Sequence, residues 1–146
     1  MKRILALPLL ILLAGCPGEE VPQGEEAAEQ LTDFQLAHGI GPVTEVYEPP
    51  ESVDEARAEE GADLFGVRCQ ACHRMDEDFM GPALGDVLER RTPTFVLNMI
   101  LNPEEMARRH PEGQAMREDF PSGMPNQGID EEEARALLEY LRQQGG

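Results

Sequence analysis

Five consecutive residues, Cys69-Gln70-Ala71-Cys72-His73, constrain this chain more than any other stretch. Two thiols three residues apart, with an imidazole directly after them, read as a c-type haem attachment site. Each thiol adds across one vinyl group of the same porphyrin, so the two sulfurs must leave the backbone about one helical turn apart. The histidine then falls beneath the ring centre, where its free nitrogen ligates the iron as the proximal ligand. Two other readings compete. A redox dithiol requires a β-α-β setting of the thioredoxin kind, which the sequence around residue 69 lacks. A zinc site requires two further ligands at matching spacing, and only His38, His110 and Cys16 remain, scattered and unpaired.

The N-terminus accounts for the third cysteine. Met1-Lys2-Arg3, an apolar run from Ile4 to Leu13 and the small residues Ala14-Gly15 describe an export signal, too short for a comfortable permanent membrane span. Leu13-Ala14-Gly15-Cys16 resembles the lipobox of bacterial lipoproteins. That resemblance implies cleavage before Cys16, a diacylated sulfur and acylation of the new amino terminus. Three cysteines are an odd number for an exported chain. Lipid on Cys16 and haem on Cys69 and Cys72 use all of them, so no disulfide is expected. Several acyl chains give stable anchoring. The mature protein, Cys16 to Gly146, is therefore expected in the cell envelope, lipid-anchored, periplasmic or on the outer face of the cytoplasmic membrane.

Removing residues 1–15 takes away Lys2 and Arg3, so the net charge moves from −17 to −19 and ten arginines stand without a lysine. Nucleic acid is excluded as a partner, because phosphate binding needs clustered cations. Anionic headgroups are repelled too, which leaves the lipid on Cys16 as the membrane contact. An acidic surface steers a basic redox partner or keeps a protein soluble in a saline habitat, and charge alone does not choose.

Pro17 to Glu26, with two Pro, two Gly and four Glu, reads as a disordered tether. Ala27 to Tyr47 is too apolar for a spacer, with Leu31, Phe34, Leu36, Ile40, Val43, Val46 and Tyr47. Ala27, Leu31 and Phe34 fall at helical spacing, Gly39 suits a helix end, and Val43 to Tyr47 looks extended after Gly41-Pro42. This stretch is expected to dock on the domain that follows Glu48-Pro49-Pro50. The organisation is then a signal peptide over 1–15, a lipidated tether with a partly ordered segment over 16–53, and a compact domain over 54–143. In that domain Ser52 with Glu55, or else Asp54, caps a helix bearing Ala58, Gly61, Ala62, Phe65 and Cys69 along one side. Gly61 is costly inside a helix, and close approach of another helix explains it. Thr92-Pro93 starts a middle helix with Phe95, Val96, Met99 and Ile100 on its apolar face; Asn102-Pro103-Glu104-Glu105 ends it and caps another. Asp130 caps the last helix, with Glu131 to Glu133 on its first turn and Ala134, Leu137, Leu138, Tyr140 and Leu141 at apolar positions. With no alternating strands and no repeat, the class is all-α.

Over roughly residues 54 to 143 the chain resembles the bacterial mono-haem cytochromes c of the small soluble type. The haem motif, the Met80-Gly81-Pro82-Ala83-Leu84 segment and the Phe120-Pro121-Ser122-Gly123-Met124-Pro125 loop carry the resemblance. It implies one covalent haem c, and terminal helices crossing at Gly61 and Phe65 against Leu137, Tyr140 and Leu141. It also implies that the Pro82 carbonyl accepts the N–H of His73, fixing the imidazole and raising its basicity. Met124 matches the distal ligand, giving His73 and Met124 as the axial pair. The residues point the same way: Gly123 lets the backbone approach the macrocycle and Pro125 limits movement of the loop. Met75 and Met80 belong to the proximal side, Met99 falls on the apolar face, and Met106 and Met116 flank a polar stretch. Met116 and His110 stay open as alternatives. Residues 17–53 lie outside the resemblance, and Met106 to Asp119 has no counterpart in it.

The function so implied is one-electron transfer by a membrane-tethered carrier, not an enzyme. Its redox partners are expected to be a quinol-oxidising complex on one side and a terminal oxidase or periplasmic reductase on the other. A monomer is the default for a tethered domain. The alternative is a haem-based gas-binding or sensor protein in which the sixth ligand is absent or easily displaced.

Overall fold

The computed structural model of the chain describes residues 30–145. The expected signal segment 1–15, the lipid site Cys16 and the tether Pro17 to Glu26 lie outside the described residues, as does Ala27. The described part folds as α1 (Asp33–His38), α2 (Glu55–Arg68), α3 (Val87–Arg90), α4 (Pro93–Leu101), α5 (Pro103–Arg109), α6 (Pro111–Asp119) and α7 (Glu131–Gln144). No strand occurs among the described residues, and the all-α class read from the sequence is the class of the molecule. None of these helices is long and apolar enough to cross a membrane.

Helices α2 and α7 form the frame. Asp54, not Ser52, caps α2: its carboxylate accepts from the Arg57 amide at 3.1 Å, and its own amide donates to Glu139 Oε2 on α7 at 2.9 Å. That tie to the partner helix fixes where α2 begins and leaves Ser52 exposed ahead of it. A capping box of Asp130 and Glu133 starts α7, with Glu131 to Glu133 at the positive end of the helix dipole. The two helices meet at Gly61. A Cβ there would overlap the Ala136 carbonyl oxygen and stand 2.9 Å from the Tyr140 Cβ, so backbone lies against backbone and only glycine fits. One turn on, the Phe65 and Tyr140 rings pack at 5.3 Å between centroids, tilted by 47°. Leu137 and Leu141 are buried on the same helix.

The apolar spacing assigns α4 one buried face of Phe95, Val96, Met99 and Ile100. The structure instead buries Thr94, Phe95, Val96, Leu97 and Asn98, and leaves Met99 and Ile100 half-buried. The reason is that α4 is covered on two sides. Val96 and Leu97 join Ala134, Leu138 and Leu141 of α7 in one core, with Leu84, Val87 and Leu88 packed against it. Phe95 joins Ile40 and Met106 in a second core, with Leu31, Met99 and Met116 against it.

That second core exists because Leu31 to Tyr47 is strapped onto α4. The helix α1 opens with a capping box of Thr32 and Gln35, starts at Asp33, and stops at Gly39, whose φ is +82°. Beyond it the chain runs extended and its backbone groups need partners. Asn98 supplies three: its Oδ1 accepts from Val43 N, and its Nδ2 donates to the carbonyls of His38 and Val43, each at 3.0 Å. Thr94 Oγ1 accepts from Tyr47 N at 2.8 Å, and His38 Nδ1 lies 3.0 Å from Thr92 Oγ1. Polar residues are therefore buried on α4 because they bind a segment that has no sheet or helix of its own.

Residues 103–119 form α5 and α6 and hold the other edge of the strap. Asn102 makes no side-chain cap; its Nδ2 turns instead to the Ile40 carbonyl at 3.2 Å. Met106 is fully buried and its sulfur accepts from Ile40 N at 3.0 Å. His110, also buried, caps α6 by accepting from Glu112 N on Nδ1, while Nε2 donates to the carbonyls of Gln35 and Leu36 at 3.1 and 3.3 Å. An amide can only donate and a carbonyl only accept, so these bonds fix the neutral Nε2–H tautomer. Phe95 meets the ring edge-on at 5.3 Å.

Candidate haem site

The attachment motif is the frayed end of α2. Cys69 caps the helix, its amide bonded to the Phe65 carbonyl at 2.9 Å. The amides of Cys72 and His73 both return to the Cys69 carbonyl, at 3.0 and 2.9 Å, so both thiols and the imidazole emerge from a single tightened turn. Cys69 and Cys72 are both free thiols and both half-buried. Burial, with the Cys72 sulfur adding to it, pushes the Cys69 thiol up to about 11. A thioredoxin-type dithiol needs a β-α-β setting, and no strand occurs among the described residues. Among the described residues no three His, Cys, Asp or Glu side chains converge as a metal cluster.

The chain from Arg74 to Gly85 folds back on the motif. Gly81 N donates to the Cys72 carbonyl at 3.0 Å, and Leu84 and Gly85 donate to the carbonyls of Arg74 and Met75 at 3.0 and 2.8 Å. This return lays Gly81 flat against the imidazole, where a Cβ would stand 2.6 Å from His73 Cε1. It also brings the Pro82 carbonyl 2.9 Å from His73 Nδ1. A carbonyl can only accept, so Nδ1 carries the proton and Nε2 keeps a free lone pair. That is the tautomer a metal requires, with the ring held on its far side by a backbone acceptor.

Cys69, Cys72, His73 and Pro82 are thus brought together in one unit. Gly81, whose missing side chain makes room for the ring, is a participant that sequence reasoning misses; its place beside Pro82 is the one signal that points to it. Met124 comes from another segment, the α6–α7 loop, half-buried between Gly123, with φ of +63°, and Pro125. Arg90 and Arg91, which follow the haem turn and could pair with a propionate, are engaged elsewhere: Arg90 with Asp86 and the Ala83 carbonyl, Arg91 with Glu112.

Two free thiols on one turn, an imidazole fixed with its metal-binding lone pair free, and a glycine cradle against the ring fit a covalently held haem. Fold and site together define a helical haem protein of the c type. The cytochrome c family model matches residues 58–145. Among solved structures, cytochrome c from Rhodothermus marinus is 46% identical, with a TM-score of 0.71, covering 77% of this chain and 96% of that one. An engineered form of that cytochrome, Rma TDE, matches at 45% identity and a TM-score of 0.69 over the same shares of the two chains. The same engineered form bound to a carbene intermediate matches at 46% and 0.68, again over 77% and 96%. No curated protein gives a significant match. The chain belongs to the cytochrome c family, and carries one haem c bound covalently through Cys69 and Cys72.

Proposed function

We propose that this cytochrome c is a one-electron carrier, not an enzyme, whose iron is held between His73 and Met124 and which is tethered to the periplasmic face of a membrane by lipid on Cys16. Held by these residues, a haem would supply an iron able to change between ferric and ferrous. The chain's own residues do the rest. Pro82 holds the proton on His73 Nδ1 and so presents Nε2. Gly81 admits the ring, and the thioethers at Cys69 and Cys72 keep the cofactor from being lost outside the cell.

The occupation of the competing ligands carries the assignment of Met124. Met106 spends its sulfur on the Ile40 amide. Met99 and Met116 pack against the strap core, and Met75 packs against the α4–α7 core. Met80 adjoins Gly81, which lies against the His73 ring. His110 has both ring nitrogens engaged. Of the alternatives open from the sequence, Met116 and His110 are therefore disfavoured; Met80 and Met124 are the described methionines without a packing role in either core, and of these Met124 is the one that stands outside the haem turn.

The test is the optical spectrum of the oxidised haem protein, in the weak near-infrared band that reports methionine sulfur on ferric iron. The band is expected in the wild type and should disappear in Met124→Ala, with a lower reduction potential. Its survival in Met124→Ala overturns the ligand assignment; its absence from the wild type, with ready carbon monoxide binding, favours the gas-binding alternative. Anchoring is read separately, by the mass of the mature N-terminus and by release of Cys16→Ser from membranes. The expected partners are a quinol-oxidising complex and a terminal oxidase or periplasmic reductase, and the protein is expected to meet them as a monomer.

A further inference from the structure

Among the described residues five large apolar side chains are strongly exposed, and three of them flank the haem motif: Val67 at 80%, Phe79 at 54% and Met80 at 46%. Val67 sits two residues before Cys69 on the last turn of α2, and Met80 adjoins Gly81, whose amide bonds the Cys72 carbonyl.

The segment that carries Phe79 and Met80 is a built turn. Phe79 N donates to the Gly81 carbonyl at 2.9 Å, and Asp78 Oδ1 accepts from Ala83 N at 2.8 Å. Arg74 covers one face of the Phe79 ring at 4.4 Å while its guanidinium donates to the carbonyls of Gln70 and His73. The ring is nonetheless more than half exposed. An apolar tip on a turn braced in this way has less entropy to lose when a partner arrives, which lowers the cost of docking.

Carboxylates surround it. Asp76, Glu77 and Asp78 are exposed on the turn, and Glu59, Glu60 and Asp63 are exposed along the stripe of α2 that ends at Val67. Arg68 and Arg74 are the cations set among these six acids, and Arg74 is already committed to carbonyls. We propose that the turn Asp76 to Met80, with Val67 and the acidic stripe of α2, is the docking face for a redox protein that presents an apolar contact ringed by lysine or arginine. The acids set the approach and the apolar tip sets the fit, the division of labour expected at a transient interface. The proposal rests on the carrier reading above.

The test uses the full-length haem-loaded protein, reduced, and two small oxidants as probes. Tris(1,10-phenanthroline)cobalt(III) is cationic with apolar aromatic faces, and hexacyanoferrate(III) is anionic. The triple variant Asp76→Asn, Glu77→Gln, Asp78→Asn is expected to lower the rate with the cobalt complex about tenfold at low ionic strength and to flatten its salt dependence. Phe79→Ser should lower the same rate about threefold while the visible spectrum and reduction potential stay fixed, as expected when an aromatic ring is removed from an encounter surface. The control is the equally charged triple on the strap side, Glu45→Gln, Glu48→Gln, Glu104→Gln, which should change the cobalt rate by less than about twofold because of screening over distance. Equal falls in the two triples overturn the proposed face. So does a shifted spectrum in Phe79→Ser, which would make the turn a wall of the haem pocket. Failure of the wild type to exchange electrons with either probe would instead strike the carrier reading itself.

Discussion

Asn98→Ala is the substitution whose cost follows most directly from the geometry. The side chain is fully buried and holds three backbone groups of the strap: the amide of Val43 and the carbonyls of His38 and Val43, each at 3.0 Å. Alanine orphans all three. A buried polar group left without a partner costs about 1 to 3 kcal/mol, and the two carbonyls, each with a second lone pair, belong at the lower end. About 3 kcal/mol is expected in all, or roughly 12 °C in Tm for a domain of this size. The strap has a way out, since it can peel from α4 and let water satisfy the same groups. The assay therefore pairs thermal unfolding of the haem-loaded protein with limited proteolysis between Leu31 and Tyr47. Asn98→Leu separates bonding from packing, because it fills the space and makes none of the bonds. Both variants should lose stability and both should expose the strap to protease, with an unchanged haem spectrum. The reasoning fails if Asn98→Ala stays within about 1 kcal/mol of wild type with its strap protected. It fails equally if Asn98→Leu restores full stability.

Gly61→Ala should cost about 3 kcal/mol by chemical denaturation, because its Cβ overlaps backbone of α7, which cannot rotate aside as a side chain would; a neutral result would mean that α2 and α7 do not cross there. Gly81→Ala should change the low-spin signals of the ferric haem by displacing the His73 ring, whereas Pro82→Ala keeps the carbonyl and should leave them nearly as they are. The opposite order would place the hold on the histidine in the proline ring itself. His110→Ala should destabilise the fold by about 2 to 4 kcal/mol by removing three hydrogen bonds and opening a cavity beside Phe95. It should leave the haem spectrum untouched, and conversion of the haem to a high-spin form on that substitution would make His110 a ligand again.

Much of the frame is legible in the sequence because its signals are local. Asp130 with Glu131 to Glu133 announces the start of α7, Thr92-Pro93 the start of α4, and an unexplained glycine at 61 a helix crossing. Two of the places where local reading fails share a cause. Ser52 with Glu55 is as good a capping pair on paper as Asp54, and the choice is made by Glu139, 85 residues from Asp54, which binds the Asp54 amide. Asn102 has the pattern of a cap before Pro103, and it is drawn away by the Ile40 carbonyl, 62 residues distant. The same holds for His110 and Asn98. A buried amide and a buried imidazole in helical surroundings carry no pattern of their own, and only the strap gives them work. At the site, the thiols, the histidine and the proline all lie between Cys69 and Pro82, so the sequence displays them together. The room made by Gly81 does not show, because it depends on the fold-back of residues 74–85.

The two cores share one wall, and that decides how far a pull on the N-terminal segment is felt. On α4, Val96 and Leu97 face the core that includes Leu84, Val87 and Leu88, the residues that follow the haem turn. Phe95 and Met99 face the core that holds Ile40 and Leu31. Any pull on the chain from its N-terminal side enters at Gln30 and is taken first by Leu31, by the bonds of His110 to Gln35 and Leu36, and by the Asn98 bonds. All of these end on α4, α5 or the His110 that joins α5 to α6. The turn bearing Cys69, Cys72, His73 and Pro82 is held by bonds of its own, from Gly81 to Cys72 and from His73 to Pro82, which involve no residue of the strap. Peeling of the strap would therefore free residues 31–47 before it disturbed the turn that holds His73. On this account Asn98→Ala releases the strap at an unchanged reduction potential, and a potential that shifted with strap release would show that the two cores are coupled through α4 after all.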